Sequence, residues 1–242
     1  MRTVTIFQRE LAATFSNPIA VIFIVAFLIL SSALTFYLGG FFARGQADLQ
    51  AFFRFHPWLH LFLMPALGMR LWAEERRTGT LELLMTLPLT PANLVWGKFL
   101  AAWMIAGFAL ALTFGMPLTI GYLGQPDWGP VFSGYLGSWL MAGSFLAVTA
   151  TISALTRNQI VAFIIAATIC FAFLAADTNI LTGFFREIGI ESFRGFESLS
   201  ILSHFDALVD GNMTVHSLIF FASMIGTALF INIRIVEGLD GR

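Results

Sequence analysis

Charge is scarce in this sequence: of 242 residues only 11% are Asp, Glu, Lys or Arg and 58% are hydrophobic, with a mean hydropathy of +0.83. Soluble domains carry charge on about a quarter of their residues, so lipid rather than water is the expected solvent. A formal net charge of −1 excludes the strongly basic or acidic balance that marks binding to nucleic acid, to acidic substrates or to a membrane through a polybasic anchor. Cysteine is nearly missing too. Cys170 stands alone inside an apolar run, which excludes an intrachain disulfide framework and a cysteine-rich metal site; it reads as a small buried hydrophobe. No acid lies in the middle of an apolar run, Asp177 being near the end of one, and this disfavours an ion or proton relay. No stretch fits G-x-x-x-x-G-K-[ST]: Gly97-Lys98-Phe99 has neither the preceding glycine nor the following hydroxyl of a phosphate-cradling loop. Serines and threonines in the apolar runs have no His or Asp at helix spacing, so no intramembrane hydrolase is indicated. The chain is expected to be no enzyme and to hold no cofactor or metal of its own.

What is present in quantity is apolar helix. Crossing the hydrocarbon core takes about 20 apolar residues, and six runs of roughly that length stand out, at 18–42, 56–73, 94–123, 131–155, 159–180 and 214–236. The expectation is an all-α membrane protein with one transmembrane domain over residues 1–242. Asn17-Pro18 is a helix start, with Asn17 as cap and Pro18 in the first turn. Before it, Val4, Phe7, Leu11 and Phe15 recur at spacings of three and four, the pattern of an amphipathic helix lying on a membrane surface. A signal peptide is the competing reading, but the apolar run continues through Phe36-Tyr37 with no cleavage pattern to end it. Trp58, Trp72, Trp96, Trp128 and Tyr122 fall near span ends, where amphipathic rings belong.

Cytoplasmic loops carry the excess of Lys and Arg. Counted on alternate sides, Arg2, Arg9, Arg70, Arg76, Arg77, Lys98, Arg157, Arg234 and Arg242 make nine, against four for Arg44, Arg54, Arg186 and Arg194. This places both termini and segment 74–93 inside, with 43–55, 124–130 and 181–213 outside. The long outward segment 181–213 mixes Phe184, Phe185, Phe193 and Phe196 with Arg186, Glu187, Glu191 and Arg194, as short amphipathic or re-entrant helices would; a plain loop is the alternative.

Gly134, Ser138 and Ala142 stand four apart in the fourth run, and Ala162, Ala166 and Cys170 do so in the fifth. Small residues at this spacing allow close helix packing, either within one subunit or as a dimer seam. His56 and His60 also stand four apart, with His204 on the same predicted side. No carboxylate completes a helical metal signature and Pro57 intervenes, so histidines at the membrane interface are the plainer reading.

Polar chemistry concentrates in Glu74-Glu75-Arg76-Arg77-Thr78-Gly79-Thr80-Leu81-Glu82-Leu83-Leu84-Met85-Thr86-Leu87-Pro88. Four charges follow the second run; a short helix then spans about Thr80 to Leu87, with Leu81, Leu84 and Leu87 on one stripe and Pro88 as its end. Thr90-Pro91 starts the next helix. So short a helix is expected to find little to pack on in its own chain. Either it lies on the membrane face or it enters a groove on another protein, leucines anchoring and charges forming the rim.

Here the sequence resembles the permease subunits of type-two ABC exporters, and within them the gliding-motility-associated group. The likeness rests on Pro57-Trp58 through Leu61-Phe62-Leu63-Met64-Pro65, on Met69-Arg70-Leu71-Trp72-Ala73-Glu74-Glu75-Arg76-Arg77-Thr78-Gly79-Thr80-Leu81-Glu82-Leu83-Leu84, and on Ser153-Ala154-Leu155-Thr156-Arg157-Asn158-Gln159. The resemblance implies that 74–87 holds a coupling helix docking into a separate ATP-binding subunit. Glu74, Glu75, Arg76, Arg77, Thr78, Gly79, Thr80, Leu81, Glu82, Leu84 and Leu87 would form that interface, with Gly79 giving the bend. It implies ATP and magnesium in the partner ATPase, a second permease copy or a related permease, a companion membrane protein with an extracytoplasmic domain, and a bacterial cytoplasmic (inner) membrane location. Export driven by ATP is the implied function. A subunit that transmits mechanical work to an extracytoplasmic partner, moving no solute, is the alternative.

Overall fold

The computed structural model describes residues 2–16, 18–86, 89–176 and 200–240, and among these every regular element is helical. In chain order they are α1 (Arg2–Ser16), α2 (Pro18–Ala33), α3 (Gln50–Phe53), α4 (His56–Gly68), α5 (Arg70–Thr78), α6 (Thr80–Met85), α7 (Pro91–Leu112), α8 (Gly115–Leu123), α9 (Trp128–Leu155), α10 (Gln159–Ala175), α11 (Ile201–Val209) and α12 (Val215–Asp240). α2 runs on into a π-helical turn, Leu34–Leu38.

Among the described residues four helical stretches are long and apolar enough to cross a membrane: Ala20–Leu38, Pro91–Leu123, Trp128–Leu155 and Val215–Leu239. α10 is apolar but shorter, and the end of its expected span at 180 lies outside the described residues. α4 has 13 residues and passes into α5 through Met69, whose backbone stays right-handed helical, so the second expected run is a helix pair rather than one span-length rod. Asn17, Asp177 and residues 181–199 also lie outside the described residues, so the capping role of Asn17 and most of the outward amphipathic segment are not in view. Only the end of that segment is described: α11 is amphipathic, with Ile201, Phe205 and Leu208 fully buried.

α9 is the hub. At 1.5 Å per residue its 28 residues reach about 42 Å, and 78% of its most apolar window is buried, against 28% for Ala20–Leu38 and 33% for Val215–Leu239. It packs against α4, α5, α7, α10, α11 and α12. The small residues explain how: Gly134 leaves room for the Phe53 ring, and the Ser138 hydroxyl lies 2.7 Å from His56 Nδ1. Ala142, Ala162, Ala166 and Cys170 are fully buried, so these small faces are filled from within the chain. Thr151 adds a polar stitch, its hydroxyl donating to the Ala147 carbonyl at 2.9 Å or the Ala228 carbonyl of α12 at 2.8 Å.

Between α7 and α8 the helix breaks at Thr113-Phe114. Tyr135 of α9 holds the break, its hydroxyl donating to the Thr113 carbonyl at 3.1 Å and lying 2.9 Å from the Thr113 hydroxyl. The Tyr135 ring meets Phe53 edge-on at 5.3 Å.

α1 packs along the first turns of α7, with Thr3 donating to the Asn93 side chain at 2.9 Å. A Cβ on Gly97 would come within 2.6 Å of Ile6, so the glycine is what lets the helices touch. The buried face of α1 is therefore Ile6 and its neighbours, while Val4 of the apolar stripe is exposed. Leu11 of the stripe packs against the core as well, and the exposed face of α1 mixes Val4 with Thr5, Gln8 and Arg9.

His56 and His60 are buried beside Phe27 and Phe52, not at an interface. His204, 3.2 Å from the Ser217 hydroxyl, stacks on Phe220. Among the described residues no three His, Cys, Asp or Glu side chains converge as a metal site would require. Of the ring residues expected at span ends, Trp58, Trp96, Trp128 and Tyr122 are exposed, but Trp72 is corrected to a buried position, for the reason given next.

Candidate functional site

Segment 70–86 is built on a seam. At Met69 the helical ladder passes from α4 to α5, and Ser153 of α9 fills the discontinuity: its hydroxyl accepts from the backbone N–H of Trp72 (3.1 Å) and Ala73 (3.0 Å) and donates to the Met69 carbonyl at 2.7 Å. The Arg76 guanidinium donates to the Ala154 carbonyl of the same helix. Two stretches far apart in sequence, 69–76 and 153–154, are thus bonded at one end of the bundle.

Below this seam lies a charge clasp. Lys98, the single lysine of the chain, is only 3% exposed; its Nζ lies 2.6 Å from Glu75 Oε1 and 3.2 Å from Glu10 Oε2. Arg9 meets the other side of Glu10 at 2.7 Å. The ammonium also stands 5.4 Å from the centroid of the Trp72 ring; Trp72 is buried as part of the continuous core, where it supplies a cation–π wall to a desolvated lysine. Burial pushes the Glu75 carboxyl above the ordinary carboxylate range, and Lys98 offsets that only in part. Burial acts on Glu10 too, but there Lys98 and Arg9 outweigh it and hold the carboxyl below its ordinary value. The clasp ties α1, α5 and α7 together.

Gly79 ends α5 with φ +76°, a left-handed conformation that side chains with a Cβ rarely adopt. The chain turns there into α6. Thr78 and Thr80 flank the turn, their hydroxyls 3.0 Å apart. Of the residues expected at the coupling interface, Arg77, Thr78, Gly79, Thr80 and Glu82 are exposed, on either side of the turn. Glu74 is half-buried, 4.0 Å from Arg70. Glu75 and Arg76 turn inward to Lys98 and Ala154. Leu81 and Leu84 are buried, Leu81 as part of the continuous core, so α6 does find packing within its own chain. Leu87 lies outside the described residues.

Sequence reasoning missed Lys98, Glu10 and Ser153. A lone lysine just inside an apolar run was the available signal, because an ionised group there requires a partner. Ser153 stands in the Ser153–Gln159 stretch on which the resemblance rests, but nothing in that stretch signals its bonds to Met69, Trp72 and Ala73.

These features define a class: an all-helical protein whose apolar helices can cross a bilayer, with a polar, partly exposed connection braced by buried charge at one end. A family model described as ABC-2 family transporter protein matches residues 61–230, more than half of the chain. The chain belongs to this family, and it is a multi-pass membrane protein, the permease component of an ABC transporter. No curated protein matches it.

Proposed function

We propose that this chain couples ATP hydrolysis by a separate, magnesium-dependent ATP-binding subunit to movement of its own membrane helices, as one of two permease copies. Six spans with both termini cytoplasmic, the run 56–73 and the region of α10 completing the four long spans, put segment 74–87 where an ATPase reaches it. A bacterial cytoplasmic membrane, export as the direction of transport, and the gliding-motility group with its extracytoplasmic companion are parts of the same reading.

The observation that carries it is the division of labour within the segment. Glu75 and Arg76 are committed inward, which braces α5 against α7 and α9, while Arg77, Thr78, Thr80 and Glu82 present an exposed polar rim around the Gly79 turn. A docked subunit pushing on that rim pushes on a rigid lever. The burial of Leu81 and Leu84 supports recognition through polar contacts rather than through these leucines as anchors.

Co-purification tests this. A tagged chain under gentle extraction is expected to bring down an ATPase, and Arg77→Ala with Glu82→Ala to lose it while membrane insertion is retained. Capture of no ATPase by the unaltered chain, or undiminished capture by the double variant, overturns the docking assignment.

A further inference from the structure

α5 is joined to α4, to α7 and to α9 by connections of unequal stiffness. Its continuity with α4 is interrupted. Pro65, inside α4, has no N–H to give to the helical ladder, and the N–H of Trp72, which a continuous helix would bond to the Gly68 carbonyl, goes to Ser153. Missing ladder bonds on both sides of Met69 make this junction a place where a helix bends. The tie to α7 is the Glu75–Lys98 pair, which runs through two long side chains with rotatable stems.

The tie to α9 has no such slack. The Ser153 hydroxyl stands one carbon from the α9 backbone and meets backbone groups directly. A serine hydroxyl has one proton and two lone pairs, and all are used here, by the Met69 carbonyl and the N–H groups of Trp72 and Ala73. Arg76 adds a bond further along α5, to the Ala154 carbonyl. That carbonyl lies in the last turn of α9 and has no helical partner, because the Asn158 N–H goes to the Thr156 hydroxyl at 3.1 Å. A guanidinium at a helix C-terminus is also favoured by the helix dipole. α4 touches α9 at the junction itself, where a Cβ on Gly68 would come within 2.8 Å of Thr149 Cγ2.

We propose that Ser153 is the positioning residue that passes movement of the coupling segment to α9. α5 and the last turn of α9 move as one piece, pivoting against α4 at the junction 65–69, and the Gly68–Thr149 contact lies at the pivot, where displacement is least. α9 is the helix through which such a movement spreads, since it also packs against α7, α10, α11 and α12. The inference rests on the docking reading and names the helix that a docked ATPase drives.

The test uses the complex of the full chain with its captured ATPase. Spin labels are placed at Trp58→Cys on α4 and Phe132→Cys on α9, exposed positions near the start of each helix and away from the rim; Cys170 is fully buried and stays unlabelled. The distance between the labels is read by pulsed electron resonance, first without nucleotide and then after trapping with ATP and vanadate. It is expected to shift by about 2 Å, the scale of helix shifts in switching transitions. Ser153→Ala is expected to lose the shift while ATPase capture and the KM for ATP stay unchanged, and Ser153→Thr, which keeps the hydroxyl, to retain it. Ser153→Cys, of similar size but a weaker hydrogen-bonding group, serves if the alanine disturbs folding. A shift that survives both the alanine and the cysteine, or no shift in an unaltered chain that has captured its ATPase, overturns the assignment of Ser153. Capture of no ATPase overturns the docking reading instead, so the two failures are told apart.

Discussion

Lys98 Nζ lies 2.6 Å from Glu75 Oε1 although 23 residues separate them, and with Glu10 added the one ammonium joins three helices. Breaking a buried ion pair by removing one partner costs about 3–5 kcal/mol, mostly from the charge left behind, whereas replacing all partners with neutral groups is often tolerated. Because Glu10 and Glu75 keep some access to water, Lys98→Met is expected to cost near the low end, about 3 kcal/mol. The triple variant Lys98→Met, Glu75→Gln, Glu10→Gln is expected to recover most of it. Thermal unfolding in detergent checks both, and equal loss in the two variants would show that packing rather than charge is at stake.

The two acids of the clasp respond to pH with opposite sign. Burial, only partly offset by Lys98, raises Glu75 above its ordinary 4.5, so its contribution to stability is full below that value and is lost as pH rises through the raised one. Glu10, held below 4.5 by Lys98 and Arg9 despite burial, contributes above that value and loses its contribution as pH falls through the lowered one. Unfolding temperature measured from acid to neutral pH is expected to decline on the neutral side in the unaltered chain. Glu75→Gln is expected to remove that decline, and Glu10→Gln to leave it while flattening the acid side.

At the α1–α7 contact, Gly97→Ala is expected to cost about 2 kcal/mol, the usual scale of overpacking, because its Cβ would meet Ile6 at 2.6 Å. Ile6→Ala in the same chain makes room and is expected to restore the contact. Disulfide trapping between Thr3→Cys and Asn93→Cys, placed at a 2.9 Å hydrogen bond, reads the outcome directly.

Tyr135→Phe removes the hydroxyl that holds the break between α7 and α8. The expected loss is about 1 kcal/mol, with faster hydrogen exchange confined to the backbone around Thr113. Protection left unchanged there would mean that the Thr113 hydroxyl, which also donates to the Leu110 carbonyl at 2.6 Å, holds the break alone.

How much of this was legible in the sequence depended on whether the signal was local. Capping chemistry is local, and it places helix ends well: Thr90 caps α7 with Pro91 in its first turn, and Gly79 takes the left-handed turn. Partners across the bundle are not local. The stripe through Val4 and Leu11 was readable, but not that α1 would turn Ile6 and Glu10 toward α7, since that follows from the missing side chain at Gly97. The 74–87 segment could be singled out by its charges, yet nothing in its spacing separated inward Glu75 and Arg76 from outward Arg77 and Thr78; their carbonyl and ammonium partners come from α9 and α7.

The clasp also has a direction along the chain. Both carboxylates precede Lys98, so the counter-charges of the single lysine are already present in the chain when it is translated. The lone ammonium depends on no later segment for its neutralisation, and the tie between α1, α5 and α7 is complete within the first 98 residues.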